Sequence, residues 1–292
     1  MSIAIIANPS AGRGRGNKVA ETAAQVLREK NQDFELLKTA GPQHAVELAY
    51  QASRRHEIVA ALGGDGTINE VLTGLWETDS KLAIIPGGTG NDYARGLGIP
   101  RNPVAALDLL FNGTTVKFDV IKETDRLFGV VSTIGFPSTV LVNVNAHRDS
   151  WLKGSPVFLA AVAQTIRELE SYQVRITIDQ KVIDTKVVGV VLMNMPYGGG
   201  GLKFAPNARF NDGQISVVII RDIGKFALMR ALPTVYFGRH VNHPRVEILQ
   251  GKEVLIEAEQ PLTKSFDGDL AGSTPLKARI YPEKAAVIVG RT

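Results

Sequence analysis

The sequence predicts an α/β domain followed by a second domain that is mostly an antiparallel β-sandwich. Up to about residue 122, short apolar strands alternate with amphipathic helices, a pattern typical of a parallel sheet covered by helices. From about residue 123, short strands follow one another with few helices between them, which is typical of a sandwich. The length of 292 residues is natural for two domains. The predicted boundaries are 1–122 and 123–282, with residues 283–292 returning to the first domain.

The elements of the first domain are read from hydrophobic periodicity. Strands are predicted at 2–8, 33–40, 57–63 and 81–87, and helices at 17–30, 42–56, 67–76 and 102–113. The third helix shows the pattern clearly, because its apolar side chains share one face. They are Ile68, Val71, Leu72, Leu75 and Trp76.

The second domain is predicted from runs of β-branched and apolar residues. Strands are expected at 127–135, 173–179, 186–195, 214–220, 245–251, 253–259, 263–269 and 276–282. Two helical patterns interrupt them, at 155–172 and 224–240. The apolar segment 285–290 is a candidate extra strand of the first domain.

Composition excludes several classes of site. The chain has no cysteine, so disulfides, thiolate metal sites and cysteine nucleophiles are absent. The formal charge of +4 favours an anionic surface only weakly, and no aromatic-and-basic motif indicates nucleic-acid binding. The start lacks the features of a signal peptide, and no apolar run approaches the roughly 18 residues of a spanning helix. We therefore expect a cytoplasmic protein without a nucleic-acid partner.

Three glycine-rich turns follow directly after predicted strands. They are "NPSAGRGRG" at 8–16, "GGDGT" at 63–67 and "PGGTGND" at 86–92. In open α/β sheets, ligands bind outside the carboxyl ends of the strands. Backbone amides at a helix N-terminus bind anions, and glycine lets a phosphate approach the backbone. The first turn matches neither the Walker A nor the dinucleotide fingerprint. Together the three turns predict one phosphate-binding crevice.

Asp65 lies in the middle of these turns. A carboxylate does not bind phosphate directly, because like charges repel. Asp65 can instead hold a Mg²⁺ ion, accept a proton, or orient a metal-bound water. Taken alone, Gly-Asp-Gly would be a tight turn with Asp65 as a helix cap, but the three turns together favour the phosphate-binding interpretation. Asp92, in the third turn, is a carboxylate at a predicted helix start and has the same capping alternative.

Three further groups of ionisable residues are candidates for a site. "FDGD" at 266–269 carries two carboxylates around a turn, with an ordinary hairpin as the alternative interpretation. Asp119 is a lone acid on an apolar strand, which requires solvent or a partner. His240 and His243 are interpreted as structural, since a zinc site needs three or four ligands.

These motifs resemble, in order and spacing, those of the diacylglycerol kinase family, in particular the soluble bacterial lipid kinases related to sphingosine and ceramide kinases. The likeness continues through "GGGLKFAPNARFNDGQISVVII", "KFALMRALPTVYFGRHVNHPRVE" and "FDGD". It implies a Rossmann-like nucleotide-binding domain, similar to NAD kinase and phosphofructokinase, in front of a β-rich lipid-substrate domain. It further implies ATP- and Mg²⁺-dependent phosphorylation of a lipid hydroxyl, with diacylglycerol giving phosphatidic acid as the first candidate, in a cleft between two domains. The lipid substrate would lie at the surface of an anionic membrane that the protein contacts peripherally.

The resemblance assigns roles residue by residue. It implies that Asp65 acts through Mg²⁺, that Asp119 faces the cleft, and that Asp269 occupies the position of the family's proton-accepting glutamate. A structural metal would use Asp212 and the carbonyl of Gln214. The implied nucleotide contacts are Asn8, Pro9, Ser10, Ala11, Gly12, Thr39, Gly64, Asp65, Gly66, Thr67, Ile68, Asn69, Glu70 and Thr89. The chain departs from the family pattern at Ala11, Pro137, Ser138, Arg209, Asn211 and Asp269.

Two alternatives stay open at this stage. One is an enzyme similar to NAD kinase, since Gly-Gly-Asp-Gly-Thr also occurs there. The other is a degenerate relative that binds nucleotide or lipid without catalysis, which the aspartate at position 269 favours. The oligomeric state is also open, with a homodimer among the alternatives.

Overall fold

The structure is a computed structural model that describes residues 2–124, 126–146 and 155–291. These residues fall into two compact units. Unit 1 comprises Met1–Val120, Phe210–Gly213 and Tyr281–Thr292, and unit 2 comprises Ile121–Arg209 and Gln214–Ile280. Residues 210–213, which the strand pattern assigned to the second domain, are part of unit 1.

Unit 1 alternates strands and helices. Its elements in chain order are β1 Ile3–Ala7, α1 Ala11–Gly14, α2 Gly16–Glu29, β2 Phe34–Lys38, α3 His44–Ser53, β3 Ile58–Gly63, α4 Asp65–Gly74, β4 Lys81–Pro86, α5 Asp92–Gly96 and α6 Pro103–Asn112. Strand β5, Thr114–Glu123, begins in unit 1 and continues into unit 2.

The sheet of unit 1 is parallel, with the strand order β2-β1-β3-β4. The last strand, β15 (Leu276–Val289), ends in unit 1, where Val287 lies opposite Leu82 of β4 in parallel orientation. Every residue of β1 and β3 is buried, and both strands are apolar throughout. Such uninterrupted apolar strands are typical of a parallel sheet covered on both faces. The α/β class predicted for the first domain is confirmed.

Unit 2 is dominated by antiparallel strands. Its remaining elements are β6 Arg126–Phe128, β7 Val131–Gly135, α7 Phe136–Ala146, α8 Ser155–Arg167, β8 Tyr172–Ile178, β9 Lys181–Met193, β10 Ile215–Arg221, α9 Lys225–Val235, the 3₁₀ helix Arg239–Asn242, β11 Val246–Gly251, β12 Glu253–Ala258, β13 Thr263–Phe266 and β14 Asp269–Ser273. The strands pair in the order β14-β13-β7-β9-β8-β12-β15, and β10 pairs with both β9 and β11. The predicted antiparallel β-sandwich domain is confirmed.

Unit 2 differs locally from the prediction. The single strand expected at 127–135 is divided into β6 and β7 around Gly129. Helix α7 was not predicted; it follows β7 at once, through a left-handed glycine, Gly135. The strand expected at 263–269 is a hairpin, because Asp267 and Gly268 both have positive φ and reverse the chain.

His240 has a structural position, in line with its sequence interpretation. It is buried, and its Nε2 is 3.0 Å from the carbonyl oxygen of Phe204. Burial lowers the pKa of its imidazole.

None of the helices in the described ranges is long and apolar enough to cross a bilayer.

Helices α3 and α4 approach so closely that the contact depends on a glycine. A Cβ atom on Gly74 would overlap the carbonyl oxygen of Val46 and lie 2.7 Å from the Cβ of Ala49. At Gly66, in the first turn of the same helix, a Cβ would meet no atom within 4 Å. The two glycines therefore form a matched pair for testing the packing.

We expect Gly74→Ala to lower the free energy of unfolding by about 1–3 kcal/mol, because overpacking forces α3 and α4 apart. Gly66→Ala should leave this free energy unchanged or raise it by up to about 1 kcal/mol, since alanine is the better helix former. Urea unfolding measures both. Equal stability of the two variants would contradict the close packing of α3 against α4.

Candidate active site

The three glycine-rich turns lie together at the carboxyl ends of β1, β3 and β4. Gly12 has φ +59°, and a Cβ there would overlap the carbonyl oxygen of Gly87. A Cβ on Gly88 would lie 2.5 Å from the Cα of Gly64. The N–H of Gly87 donates to the carbonyl of Gly63 at 2.7 Å. The first turn thus packs on the third, and the third on the second, by direct backbone contact.

Two asparagines hold these turns in shape. The side-chain amide of Asn8 donates to the hydroxyl of Thr67 at 3.0 Å, which joins the first turn to the second. The side-chain oxygen of Asn8, Oδ1, also accepts the N–H of Ser10 at 2.9 Å. In the third turn, Asn91 accepts from the N–H of Gly88 at 3.0 Å and donates to its carbonyl at 3.1 Å. Backbone and side chains together make a preformed surface.

Asp65 joins the second turn to the third. Asp65 is the first residue of α4 but does not cap that helix, because the N-cap position is occupied by Gly64, which has no side chain. Its carboxylate accepts instead from the N–H of Tyr93, in the first turn of α5, at 3.1 Å. The buried Tyr93 also donates from its hydroxyl to Asn69 at 3.1 Å. Asp65 therefore does not cap its own helix, and its carboxylate instead bonds to the start of α5.

The surroundings of Asp65 oppose its negative charge. Burial raises the pKa of its carboxyl above the usual value, and the charge of the neighbouring Asp92 raises it further. Hydrogen bonds from backbone N–H groups of residues 91–93 act in the opposite direction and are the smaller effect. Asp92 itself is buried and forms an ion pair with Arg95. A carboxylate disfavoured by burial and by a like charge is a candidate functional group.

The implied nucleotide contacts fall into three groups. Those on the three turns are Asn8, Pro9, Ser10, Ala11, Gly12, Gly64, Asp65, Gly66, Thr67 and Thr89, of which Ser10, Gly66 and Thr89 are exposed. Thr39 follows β2, and its N–H donates to the carbonyl of Ala7 at the end of β1, at 2.9 Å. Ile68 is fully buried in the core of unit 1, and Asn69 bonds to Tyr93.

Glu70, on α4, stabilises the start of helix α3. Its two carboxylate oxygens accept the N–H of Gln43 at 3.0 Å and the N–H of Ala45 at 3.2 Å, at the start of α3. A carboxylate is favourable there because of the free N–H groups and the helix dipole. The side chain of Glu70 thus caps α3.

Asp119, which the family pattern would place at a cleft, is buried inside unit 1. It is fully buried, and its two oxygens accept the N–H of Gly213 at 2.7 Å and of Glu283 at 2.8 Å. Its own N–H donates to the carbonyl of Phe210 at 2.7 Å. A buried carboxylate is tolerated when backbone donors replace water. Asp119 therefore fastens residues 210–213 and the C-terminal strand to β5 within unit 1.

The two aspartates of "FDGD" differ in the hydrogen bonds that their carboxylates accept. Asp267 accepts three backbone N–H groups, from Gly129 at 3.1 Å, Val130 at 3.1 Å and Val131 at 2.8 Å. Asp269 is exposed, and its carboxylate has no hydrogen bond or ion pair to any other described residue. The first aspartate therefore holds the turn, and the second projects from it.

The predicted metal residues do not form a side-chain cluster. Asp212 is exposed and Gln214 half-buried. Within residues 2–124, 126–146 and 155–291, no group of three or more histidine, aspartate or glutamate side chains is arranged to hold a metal ion. Asp212 thus offers a single carboxylate, and a structural metal held by it and the carbonyl of Gln214 stays a prediction.

The contacts of Tyr93 and the different roles of the two aspartates in "FDGD" were not identified from the sequence. Tyr93 was not singled out because its two contacts reach back to residues 65 and 69, which no local pattern reveals. The role of Asp267 depends on positive φ at this non-glycine residue. The only available signal was the Asp-Gly dipeptide, which favours such turns.

Comparison with known proteins matches both halves of the chain. Residues 2–123 match the family model described as the diacylglycerol kinase catalytic domain. Residues 129–289 match the model described as the YegS C-terminal NAD kinase beta sandwich-like domain. A diacylglycerol kinase from Mycobacterium tuberculosis is 32% identical over 302 residues, covering 99% of this chain and 94% of that protein.

Two further comparisons also match diacylglycerol kinases. A diacylglycerol kinase from Bacillus subtilis is 26% identical over 275 residues, covering 93% of this chain and 90% of that protein. The crystal structure of a diacylglycerol kinase from Bacillus anthracis aligns with a TM-score of 0.78 at 24% identity, over 99% of this chain and 96% of that one. That structure supports the fold alone. The chain therefore belongs to the diacylglycerol kinase family and is a lipid kinase of that type, a phosphotransferase.

Proposed function

We propose that the protein transfers the γ-phosphoryl group of ATP to the hydroxyl of a lipid, with diacylglycerol as the substrate and phosphatidic acid as the product. The observation that carries this proposal is the backbone-to-backbone packing of the three glycine turns around Asp65. The names of the relatives from Mycobacterium tuberculosis and Bacillus subtilis support diacylglycerol as the acceptor.

Unit 1 supplies the phosphate-binding groups in this proposal. The N-cap of α4 is Gly64, which has no side chain to cap the helix, so the backbone N–H groups of the first turn are available to an anion. Gly66 is exposed, and no atom lies within 4 Å of the position that a Cβ would take. A phosphate can therefore approach this backbone closely. The exposed hydroxyls of Ser10 and Thr89 add donors on the flanking turns.

Asp65 and Asp92 fit a Mg²⁺ ion that arrives with the nucleotide. Mg²⁺ is commonly held by one or two carboxylates together with substrate phosphates. A cation is favourable here because the charge of Asp92 raises the pKa of the Asp65 carboxyl, and a positive charge beside Asp65 would lower that pKa. When bound, Mg²⁺ offsets negative charge on the transferred phosphoryl group. Asp65 is held in place for this by the N–H of Tyr93.

Asp269 is the proton acceptor in this proposal. The bond between the γ-phosphorus and the bridging oxygen of ADP breaks, a bond from phosphorus to the lipid oxygen forms, and the hydroxyl proton passes to the Asp269 carboxylate. An exposed carboxylate without a competing partner is free to take that proton. The turn that carries it is fixed by Asp267.

The acceptor is identified by offering several to the purified protein with radiolabelled ATP and Mg²⁺. Diacylglycerol in phospholipid vesicles, a total membrane lipid extract and NAD in solution form the three arms. We expect label in a lipid that migrates with phosphatidic acid. Label in NAD would favour the alternative similar to NAD kinase. ATP binding without label in any arm would indicate a non-catalytic relative. Either result would contradict the proposal.

Asp65→Asn should lower kcat by at least about 100-fold, by analogy with the loss of one transition-state charge interaction. Its stability at neutral pH should be preserved or increased. The pKa of Asp65 is raised in the folded state, so its ionisation costs stability as pH rises through the unfolded value of about 3.9 and above. Asparagine removes that cost and can still accept from Tyr93.

The control for this prediction is Asp79→Asn, an exposed aspartate of unit 1 outside the three turns. It should retain full activity. Kinase assays and thermal unfolding at pH 7 give both quantities. Full activity of the Asp65→Asn variant would rule out the proposed role of Asp65. Unfolding of this variant would show that Asp65 is mainly structural.

Asp269→Asn should reduce kcat by about 10²–10⁴-fold, because the amide cannot accept the proton. Asp269→Glu restores the residue type of the family and should keep or raise kcat, since the carboxylate is retained with longer reach. Stability should be unaffected in both variants, because Asp269 is exposed. Steady-state kinetics test this. Equal activity of the asparagine and glutamate variants would exclude Asp269 as the base.

A further inference from the structure

Helix α9 and the turn after it carry apolar side chains on the outside of unit 2. Phe226 is 80% exposed, Met229 52%, Tyr236 54% and Phe237 73%. Nine large hydrophobic residues are exposed in the described part of the chain, and four of them lie in this stretch of twelve residues. Isolated exposed apolar residues are normal, but a concentration of them marks an interaction surface.

The exposed residues share one side of the helix. Positions 226, 229, 233 and 236–237 follow the spacing of a helical face, and Pro233 is also exposed. The opposite side holds Leu228 and Val235, which are buried. Helix α9 is therefore apolar on both sides, one packed on unit 2 and one facing solvent.

The charge of this segment points to an anionic occupant. Residues 223–246 contain four basic residues and no aspartate or glutamate, so the segment carries +4, equal to the formal net charge of the whole chain. The basic residues are Lys225, Arg230, Arg239 and Arg245, and all four are exposed. Aromatic, methionine and basic side chains on one exposed helix are typical of helices that lie in a membrane interface.

The segment is held in shape by the rest of unit 2. The ammonium of Lys225 donates to the carbonyl of Arg167 at the end of α8. The carbonyl of Val235 accepts the N–H of Lys203 at 3.0 Å. The chain then reverses at Gly238, which has φ +66° and packs on Pro206. The exposed side chains therefore sit on a fixed backbone, so binding does not have to order the backbone.

We infer that the exposed face of Phe226, Met229, Tyr236 and Phe237, with Lys225, Arg230 and Arg239 around it, docks the protein onto an anionic phospholipid bilayer. The four apolar side chains enter the interface, and the basic residues contact lipid phosphates. This inference rests on the proposed function, because a lipid kinase must reach a substrate held in a bilayer. It identifies which surface does so.

The test uses vesicles of phosphatidylcholine and phosphatidylglycerol without diacylglycerol or ATP, so that catalysis plays no part. Wild-type protein should sediment with these vesicles, and less at high salt. The double variant Phe226→Ser/Phe237→Ser should bind at least about tenfold more weakly, because its apolar contact is lost. The double variant Arg230→Glu/Arg239→Glu should weaken binding by about fivefold or more for each charge. Tyr50→Ser and Val182→Ser, at exposed apolar residues elsewhere, are the matched controls.

Kinase assays then separate the surface from the reaction. The Phe226→Ser/Phe237→Ser variant should lose activity toward diacylglycerol in vesicles but keep its kcat toward a short-chain diacylglycerol dispersed in solution. Asp65→Asn should bind vesicles like the wild type while lacking activity. If no lipid is phosphorylated by any variant, the proposed function fails, while loss of vesicle binding in the phenylalanine variant still supports the docking face.

Three results would overturn the inference. The first is that wild-type protein does not bind the anionic vesicles. The second is that Tyr50→Ser or Val182→Ser weakens binding as much as the α9 variants do. The third is that the phenylalanine variant binds vesicles normally but changes the oligomeric state seen by size-exclusion chromatography, which would make the face a contact between protein chains.

Discussion

Direct backbone contact among the three glycine turns is the constraint on which the rest of the site depends. Gly12 touches Gly87, and Gly88 touches Gly64, with no room for a side chain between them. The ends of β1, β3 and β4 are thereby drawn into one surface. Asp65 then reaches the start of α5 and is held beside Asp92. The unfavourable charge of Asp65 follows from this packing.

Acidic residues divide into two kinds according to how their charge is satisfied. Asp119, Asp267 and Glu70 each accept two or three backbone N–H groups, and each fastens a turn, a strand or a helix end. Asp65 and Asp269 are candidates for chemistry, for different reasons. Asp65 has backbone bonds but faces a like charge, and Asp269 is open to solvent. Residue type alone does not make this distinction, whereas the nearby charge at Asp65 and the exposure of Asp269 do.

Much of the fold was predictable because its signals are local. The alternation of strands and helices in unit 1, and the three glycine turns, follow from periodicity and from glycine placement. The role of Asp119 was not predictable, since its partners Gly213 and Glu283 lie 94 and 164 positions away. The exposed face of α9 was also not predicted, because the sequence of a helix that is apolar on both sides predicts a buried helix.

The central claim is that the bare backbone of these turns, with Asp65 beside it, binds the phosphates of ATP. Calorimetric titration of MgATP into wild-type protein and into Gly66→Ala tests it most directly. Alanine at this exposed position leaves the fold intact but places a methyl group where the phosphate would lie. We predict that the wild type binds MgATP and that Gly66→Ala binds it at least about tenfold more weakly, a loss of ~1.4 kcal/mol. Unchanged affinity in Gly66→Ala would contradict the claim.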